Sequence, residues 1–427
     1  MTQAPPDQPS LTDLTRSFAR IGLLSFGGPA AQIALMHREL VEHRKWVSEQ
    51  DYLSALSFCM LLPGPEAMQL ATWIGWRTHG TLGGLIAGLL FVLPGAAIVL
   101  ALSIIYAAFG QIPVIAALFT GIQAAVIAIV IAALLRIAKR ALTSRAYWVI
   151  AGLAFLALFA FGLPFPLVIL AAGLYGFFTT AARAQPATLP QPWAKTLQAT
   201  AIWGAIWLIP LALIVTMQPG IFAQIALYFS KLAVVTFGGA YAVLAWMSQS
   251  VVADKQWLTM PQMIDGLGLA ETTPGPLILV VQFVAYLAAA KDHGMAGGIY
   301  GAAIALWMTF VPCFLWIFAG APWIAHLTAA PRLSGALRAI TAAVVGVIAN
   351  LSLWFAAHVF FRSISHLDAR PFHLILPDPA SFNWTTGLIA ILAAIALLRL
   401  HQPLLAVLAG AAIASALVSG LTSSLPM

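Results

Sequence analysis

The chain has 427 residues, of which 8% are charged and 62% are hydrophobic, and its mean hydropathy is +0.95. An ordinary soluble domain carries about 25% charged residues. These values therefore exclude a soluble enzyme, a coiled coil, a collagen and a disordered polymer, and they leave a polytopic membrane protein. Because membrane proteins collect Lys and Arg in cytoplasmic loops, the net charge of +7 indicates such loops and no nucleic-acid partner.

The N-terminal residues are polar and rich in proline, and we interpret residues 1–17 as a disordered tail. Thirteen apolar segments follow, and each is a candidate membrane helix because a span needs about 20 apolar residues. The fold is therefore predicted to be all-α. The segments lie near residues 18–36, 52–76, 81–109, 112–136, 146–161, 164–180, 198–217, 221–248, 264–290, 295–320, 335–360, 384–399 and 403–422.

Four of these segments are interrupted by glycine and proline. Proline removes a helical N–H donor and glycine permits a positive φ, so each interruption predicts a broken or re-entrant helix. The interruptions are Ser25-Phe26-Gly27-Gly28-Pro29, Pro63-Gly64-Pro65, Thr236-Phe237-Gly238-Gly239 and Pro274-Gly275-Pro276. We refer to the two Pro-Gly-Pro triplets as the first and the second PGP.

The interruptions recur at a spacing of 211 residues. By this shift Arg20 maps onto Lys231 and Ser25 onto Thr236. Phe18, Phe26, Gly27, Gly28, Trp46, Pro63, Gly64 and Pro65 map onto identical residues, namely Phe229, Phe237, Gly238, Gly239, Trp257, Pro274, Gly275 and Pro276. The pattern predicts two homologous repeats, 18–185 and 221–427, with a linker and an extra transmembrane helix at 186–220.

The extra helix predicts that the repeats have inverted topology, because seven segments precede the second repeat. The loops of the first half contain nine Lys and Arg residues, and the matching loops of the second half contain four. This difference is expected if only the loops of the first half face the cytoplasm. If 52–76 is a re-entrant hairpin, the positively charged loops of the first half can all face the cytoplasm. A full span of 52–76 is the alternative.

Helices broken at matching places in inverted repeats are typical of secondary transporters. A helix that begins at mid-membrane presents free N–H groups and the positive end of its dipole, and two such ends form an anion site. The predicted helix starts are Gly27, Gly28, Pro63, Gly64, Pro65, Gly238, Gly239, Pro274, Gly275 and Pro276, with Ser25, Thr236, Thr272 and Thr273 as hydroxyl donors.

Charged residues near the breaks are the other candidates. Arg20 and Lys231 lie within apolar segments, where a charge costs about 3 kcal/mol, so they are either anion counter-charges or interfacial anchors. Glu66 and Glu271 flank the PGP triplets and are predicted to gate or couple transport, although Glu66 is also suited to cap a helix N-terminus. Asp265, like Asp51, is interpreted as a solvated helix end at the membrane edge.

An FGGP motif, a charged loop that ends in Trp and a PGP triplet, followed by FGG, Trp and PGP in the second half, resemble the long-chain type of the chromate ion transporter (CHR) family. The resemblance covers most of the chain. It implies a bacterial inner-membrane protein that exports chromate and confers chromate resistance, with sulfate as a competing analogue. The residues themselves indicate only a small oxyanion. Ala240 replaces Pro29 in the second motif, so the two halves need not contribute equally.

The predicted mechanism is alternating access around a midplane anion site. An anion channel with the same site and a transporter of sulfate or another oxyanion stay open as alternatives. A membrane enzyme is not expected, because no nucleophile–base pair or metal motif is in register with the breaks. We expect no cofactor and no metal. The partners are the anion and the lipid bilayer, and the oligomeric state is open, with a homodimer as one alternative.

Overall fold

The computed structural model describes residues 9–181, 193–235, 237, 240–324, 330–369 and 372–423. These residues form fifteen α-helices and one β-hairpin. The helices are α1 (Leu11–Leu24), α2 (Gly28–His37), α3 (Glu49–Cys59), α4 (Glu66–Phe109), α5 (Pro113–Ala141), α6 (Arg145–Phe159), α7 (Phe165–Thr179), α8 (Trp193–Met217), α9 (Ile221–Val235), α10 (Ala240–Gln249), α11 (Met260–Thr272), α12 (Val280–Gly320), α13 (Pro331–Phe360), α14 (Trp384–Leu398) and α15 (Leu404–Ser423).

Shorter elements complete the fold. Strands β1 (Ile364–Ala369) and β2 (Phe372–Pro377) pair antiparallel in a two-stranded sheet. Two π-helical turns follow α2 and α10, at Arg38–His43 and Ser250–Asp254. Turns of 3₁₀-helix lie at Leu277–Leu279, Ala321–Trp323 and Pro379–Ser381.

The prediction of an all-α polytopic membrane protein is confirmed. Within the described residues, five helices are long and apolar enough to cross a membrane, and five shorter apolar helices accompany them. The five long ones are Glu66–Phe109, Pro113–Ala141, Trp193–Met217, Leu277–Trp323 and Pro331–Phe360. Each of the thirteen predicted segments falls on one of these helices or on a pair of helices separated by a predicted break.

Two of the long helices double back on themselves. In α4 the backbone leaves helical geometry at His79 and Gly80, and a Cβ on Gly75 would overlap the carbonyl of Gly83. In α12 the reversal lies at Gly294, with a φ of 62°, and a Cβ on Gly301 would approach the methyl group of Ala289 to 2.8 Å. The glycines therefore permit close helix packing at each hairpin.

The length of the helix between the first PGP and the turn in α4 bears on the re-entrant segment. At 1.5 Å per residue, residues 66–78 extend for about 20 Å, and the eleven residues of α3 extend for about 16 Å. A bilayer core is about 30 Å thick. The lengths favour the predicted re-entrant hairpin at 52–76, which stays a prediction.

The predicted tail was wrong about residues 11–17, because α1 begins at Leu11. The Ser10 side chain accepts a hydrogen bond of 3.1 Å from the Asp13 N–H and so caps the helix. Leu14, Phe18 and Ile21 recur at helical spacing and are buried. The helical spacing of apolar residues thus begins before the first long apolar segment, and α1 begins with it.

The chain divides into two compact units, and each draws residues from both predicted repeats. The first unit comprises Met1–Ser103, Ala181–Val243 and Thr273–Ser334, and within it α12 packs against α8 and α9. The second comprises Ile104–Thr180, Leu244–Thr272 and Gly335–Met427, and within it α5 packs against α14 and α15. Ala124, Ala128, Ile389, Ala393 and Leu408 lie in the core of the second unit.

Local backbone geometry repeats at the 211-residue spacing found in the sequence. Lys45 has a φ of 54° and Gln256 a φ of 53°, and both are non-glycine residues in the left-handed region. Each follows one of the two π-helical turns. A conformation this uncommon, found at matching positions of both halves, supports the proposed division into two repeats.

Candidate functional site

The first unit brings a break from each half of the chain into direct contact. The Gly275 N–H, in the second PGP, donates a hydrogen bond of 2.9 Å to the carbonyl oxygen of Ser25, directly after α1. Ser25 and the whole second PGP are buried. The bond therefore joins, inside one compact unit, two breaks that the sequence predicted to share a site.

Gln32 strengthens this junction from α2. Its Nε2 donates to the Gly275 carbonyl oxygen at 2.6 Å and to the Ser25 carbonyl oxygen at 3.2 Å. The side chain is 1% exposed, and its Oε1 has no hydrogen-bond partner among the described residues. Sequence reasoning missed Gln32. The available signal was a single amide in α2, whose other residues before His37 are apolar or small.

The start of α2 has the backbone geometry predicted for a helix that begins inside the membrane. Gly27 is its N-cap with a φ of 85°, Gly28 has a φ of 78°, and Pro29 occupies the first turn. No side chain caps this terminus. Because the first N–H groups of a helix have no partner within it, they are available to an acceptor such as an anion.

Tyr241 places the start of α10 beside the start of α2. Its hydroxyl oxygen lies 3.6 Å from the position that a Cβ on Gly28 would occupy. Tyr241 is the second residue of α10, the helix that follows the second FGG. The Tyr241 side chain therefore extends from the first turn of α10 to the start of α2. Thr236, Gly238 and Gly239, which were predicted to belong to this start, lie outside the described residues.

The first PGP lies in the same unit and is also buried. Gly64 has a φ of 120°, and a Cβ there would lie 2.8 Å from both Cys313 Sγ and Gln69 Nε2. Gln69 Nε2 donates to the Pro63 carbonyl oxygen at 2.7 Å. Each PGP is therefore held by a buried glutamine amide, although Gln32 and Gln69 are not related by the repeat.

Gly95, in the middle of α4, makes room for the second PGP. A Cβ at this position would overlap the carbonyl oxygen of Pro274 and would lie 2.7 Å from a Leu279 methyl group. Only glycine permits this approach of helix to backbone. The sequence signal for this contact was the pair Pro94-Gly95 inside an apolar segment, which was not predicted to belong to the site.

Two of the predicted hydroxyl donors, Ser25 and Thr272, are occupied in this conformation. Ser25 Oγ donates to the Ile21 carbonyl oxygen at 2.6 Å, and Thr272 Oγ1 donates to the Leu269 carbonyl oxygen at 2.8 Å. A hydroxyl has a single proton to donate, so neither could also serve an anion without a rotation. Thr273 is buried beside the second PGP.

The predicted counter-charges lie on exposed positions. Arg20 is exposed on α1 and Lys231 on α9, whereas the Ser25–Gly275 junction is buried. Exposure agrees with the alternative that they are interfacial anchors. The acids differ from each other, since Glu66 is partly exposed at the first residue of α4 and Glu271 is buried in α11.

The interpretation of Asp265 as a solvated helix end was wrong. Asp265 is 4% exposed, and it accepts hydrogen bonds from Tyr106 Oη at 2.7 Å and from Gln123 Nε2 at 2.8 Å. All three residues belong to the second unit. The error arose because α11 is short and polar at its start, so its position in the sequence resembled an edge.

Comparison with known proteins adds to this geometry. A family model described as "Chromate transporter" matches residues 12–177 and 223–416. A "Chromate transport protein" of Pseudomonas aeruginosa is 35% identical over 81% of each chain, and one of Cupriavidus metallidurans is 32% identical over 79% of this chain and 81% of the relative. A "Probable chromate transport protein" of Synechococcus elongatus is 33% identical over 80% of this chain and 83% of the relative. No solved structure matches the chain.

Proposed function

Because this chain belongs to the chromate transporter family, we propose that it is a secondary transporter that exports chromate across the bacterial plasma membrane and so confers chromate resistance. Its relatives are named for chromate transport, and its apolar helices make it a multi-pass membrane protein. Sulfate transport by the same site is the alternative within this class.

One observation carries the proposal. The unit that contains the start of α2, beside Tyr241 of α10, also joins Ser25 to Gly275. Uncapped helix N-termini favour anions through their free N–H groups and the helix dipole. A tetrahedral dianion is small enough to be held by two such termini, and it gains most from them where water is scarce.

The candidate binding residues keep their predicted roles as proposals. Gly27 and Gly28 provide the first helix start, and the two PGP triplets line the breaks that must open and close. Arg20 and Lys231 attract the anion to the protein from exposed positions. We assign gating to Glu66 and Glu271.

Alternating access fits the contacts between the breaks. The Gly275–Ser25 bond and the bond from Gln32 to Gly275 join residues from both predicted repeats, so relative movement of the repeats would break and remake them. An anion channel would instead keep them in place while the anion passed. A membrane enzyme is disfavoured by the relatives, which are named transporters.

Uptake into everted membrane vesicles tests the proposal. Vesicles with the protein should accumulate labelled chromate saturably, and unlabelled chromate on the far side should accelerate this uptake by exchange. Competition by sulfate would extend the site to sulfate. If vesicles that contain the protein take up chromate and sulfate no faster than vesicles without it, the proposed function fails. Saturable exchange would exclude the channel.

The same assay tests the exposed cations. If Arg20 and Lys231 act as counter-charges, Arg20→Ala and Lys231→Ala should each lower uptake at low chromate at least tenfold. Lys195→Ala, which changes an exposed lysine of α8, is the matched control and should leave uptake unchanged. Unchanged uptake in both variants would leave these residues as anchors and would remove them from the site.

A further inference from the structure

The carboxyl group of Asp265 is enclosed by three helices of the second unit. Tyr106, near the end of α4, donates to Oδ2, and Gln123 of α5 donates to Oδ1. Next to it along α11, a Cβ on Gly268 would overlap the Ile122 side chain, so α11 and α5 are in close apolar contact. The proposed anion site does not use this cluster.

The depth of the cluster follows from its position on α5. Gln123 lies ten residues after Pro113, where α5 begins, which is about 15 Å along the helix axis. This is half of the roughly 30 Å hydrocarbon core that a spanning α5 must cross. An ionisable side chain at that depth is expensive and is a candidate for function by default.

Among the residues that the structure describes, α4, α5 and α15 place no cation next to Asp265. Helix α15 carries no charged side chain, and α4 beyond Ser103 contributes Tyr106 alone among titratable groups. Arg136, Lys139 and Arg140 lie thirteen or more residues after Gln123, about 20 Å further along α5. On α11 itself, Glu271 follows six residues later. Within the described residues, no salt bridge to Asp265 is present.

We propose that Asp265 is the proton-carrying carboxylate that couples anion transport to proton movement. The inference rests on the proposed transport function. In each cycle the carboxylate takes one proton from water on one side of the membrane, becomes a neutral carboxylic acid and releases the proton on the other side. As the carboxyl O–H bond forms, an O–H bond of hydronium, or of water that is left as hydroxide, breaks on the first side. When the carboxyl O–H bond breaks, a water molecule on the other side accepts the proton, so no further reactant is needed.

The two partners of Asp265 suit a group that changes its protonation state. A carboxylic acid must donate one hydrogen bond, and the Tyr106 hydroxyl is able to accept as well as donate. The Gln123 amide presents its oxygen after a rotation of half a turn. Both forms of Asp265 can therefore be hydrogen-bonded by the same two side chains, provided that these rearrange when the carboxylate takes up its proton. An arginine or lysine partner would instead have held the carboxylate ionised.

A metal cation fits these side chains poorly. Na⁺ or another hard cation needs several oxygen ligands, commonly about six. Even with the Gln123 amide rotated, the side chains of Asp265, Tyr106 and Gln123 offer only four oxygen atoms. A proton needs only the carboxylate. The chemistry of the donors therefore selects the proton as the coupling ion.

The chain itself connects Asp265 to the proposed anion site. Helix α11 ends at Thr272 and continues directly into Thr273 and the second PGP. When Asp265 is protonated, the hydrogen bonds from Tyr106 and Gln123 must rearrange, and α11 is freed to shift. Such a shift pulls on the segment that includes Gly275, which bonds to Ser25.

Purified protein in liposomes with an internal pH-sensitive dye tests the inference. At alkaline pH, where chromate is a dianion, a chromate gradient should change the internal pH in the wild type. Asp265→Asn should reduce this pH change at least tenfold while retaining chromate exchange at equal pH. Asp292→Asn replaces an exposed aspartate and should retain both activities.

The outcomes separate this inference from the proposed function. If the wild type moves no chromate, the proposed function fails. If the wild type transports chromate without a pH change, or Asp265→Asn keeps the pH change, the proton role of Asp265 is refuted although transport stands. If Asp265→Asn loses exchange as well, Tyr106→Phe decides. Because it removes a donor to the ionised carboxylate, it should shift the pH profile of chromate flux to higher pH, and an unshifted profile would overturn the inference.

Discussion

Gly275 donates a hydrogen bond of 2.9 Å to the carbonyl of Ser25, although 250 positions of sequence separate the two residues. Both lie at helix breaks, where backbone groups have lost their helical partners. Each break therefore satisfies a polar group of the other inside an apolar unit, where an unpaired backbone group costs several kcal/mol. The absence of water therefore strengthens the hydrogen bond between the two breaks. It would also strengthen the binding of an anion to their free N–H groups.

Gln32→Leu tests the junction. The change removes hydrogen bonds to the Ser25 and Gly275 carbonyl oxygens, and net losses of about 1 kcal/mol per bond are typical. We expect chromate exchange to fall about tenfold or more, because about 1.4 kcal/mol corresponds to a factor of ten. Gln224→Leu, at an exposed position of α9, should keep wild-type exchange. Equal exchange in the two variants would show that the amide clamp is dispensable.

Gly95→Ala tests the approach of α4 to the second PGP. The added methyl group would overlap the Pro274 carbonyl oxygen, so we expect strongly reduced transport and a lower melting temperature in detergent. Alanine is otherwise favoured over glycine within a helix by about 1 kcal/mol. Gly204→Ala has open space around its Cβ and should be neutral or stabilising. A neutral Gly95→Ala would mean that the second PGP tolerates displacement.

Cys313 reports movement of the first PGP, because its sulfur lies where a Cβ on Gly64 would clash. In a Cys59→Ala background, Cys313 is buried and should react slowly with a maleimide reagent. If the PGP moves during alternating access, saturating chromate should change this labelling rate several-fold. A labelling rate that does not respond to chromate would favour a static channel.

Leu14→Ala tests the helical start of the chain. Leu14 is fully buried in α1, and removing a buried leucine costs about 2–5 kcal/mol. Thermal unfolding in detergent should therefore occur at a clearly lower temperature. Leu11→Ala, at a position that is 38% exposed, provides the matched control and should shift the transition little. Similar shifts of the melting temperature in both variants would show that packing does not hold residues 11–17 in place, as expected of a tail.

The breaks and their spacing could be predicted from sequence because they depend on local chemistry. Glycine permits a positive φ, and proline fixes φ and removes an N–H donor, wherever they occur. The helix break at Gly27 and Gly28 could therefore be predicted from the sequence alone. The repeat added matching pairs without any knowledge of contacts. The guanidinium carbon of Arg44 lies 5.1 Å from the ring centroid of Trp46, and the ammonium nitrogen of Lys255 lies 5.1 Å from that of Trp257. The sequence repeat is thus accompanied by a repeat of local geometry.

The contacts between breaks could not be predicted, because they depend on tertiary packing. Gln32, Tyr241 and Gly95 carry no local mark that distinguishes them from other residues of apolar helices. Asp265 was misplaced for a related reason, since burial of α11 comes from α5 and α15, which lie far away in sequence. The sequence thus locates the parts of the site but not the residues that join them.

The composition of the compact units constrains the ancestry of this protein. Each unit draws chain from both halves, so the bond between Ser25 and Gly275 forms only when both halves are present. If the two halves arose by duplication, a precursor with a single half would have needed a second copy to supply this contact. Expressing the two halves as separate polypeptides in one cell would test whether they still assemble.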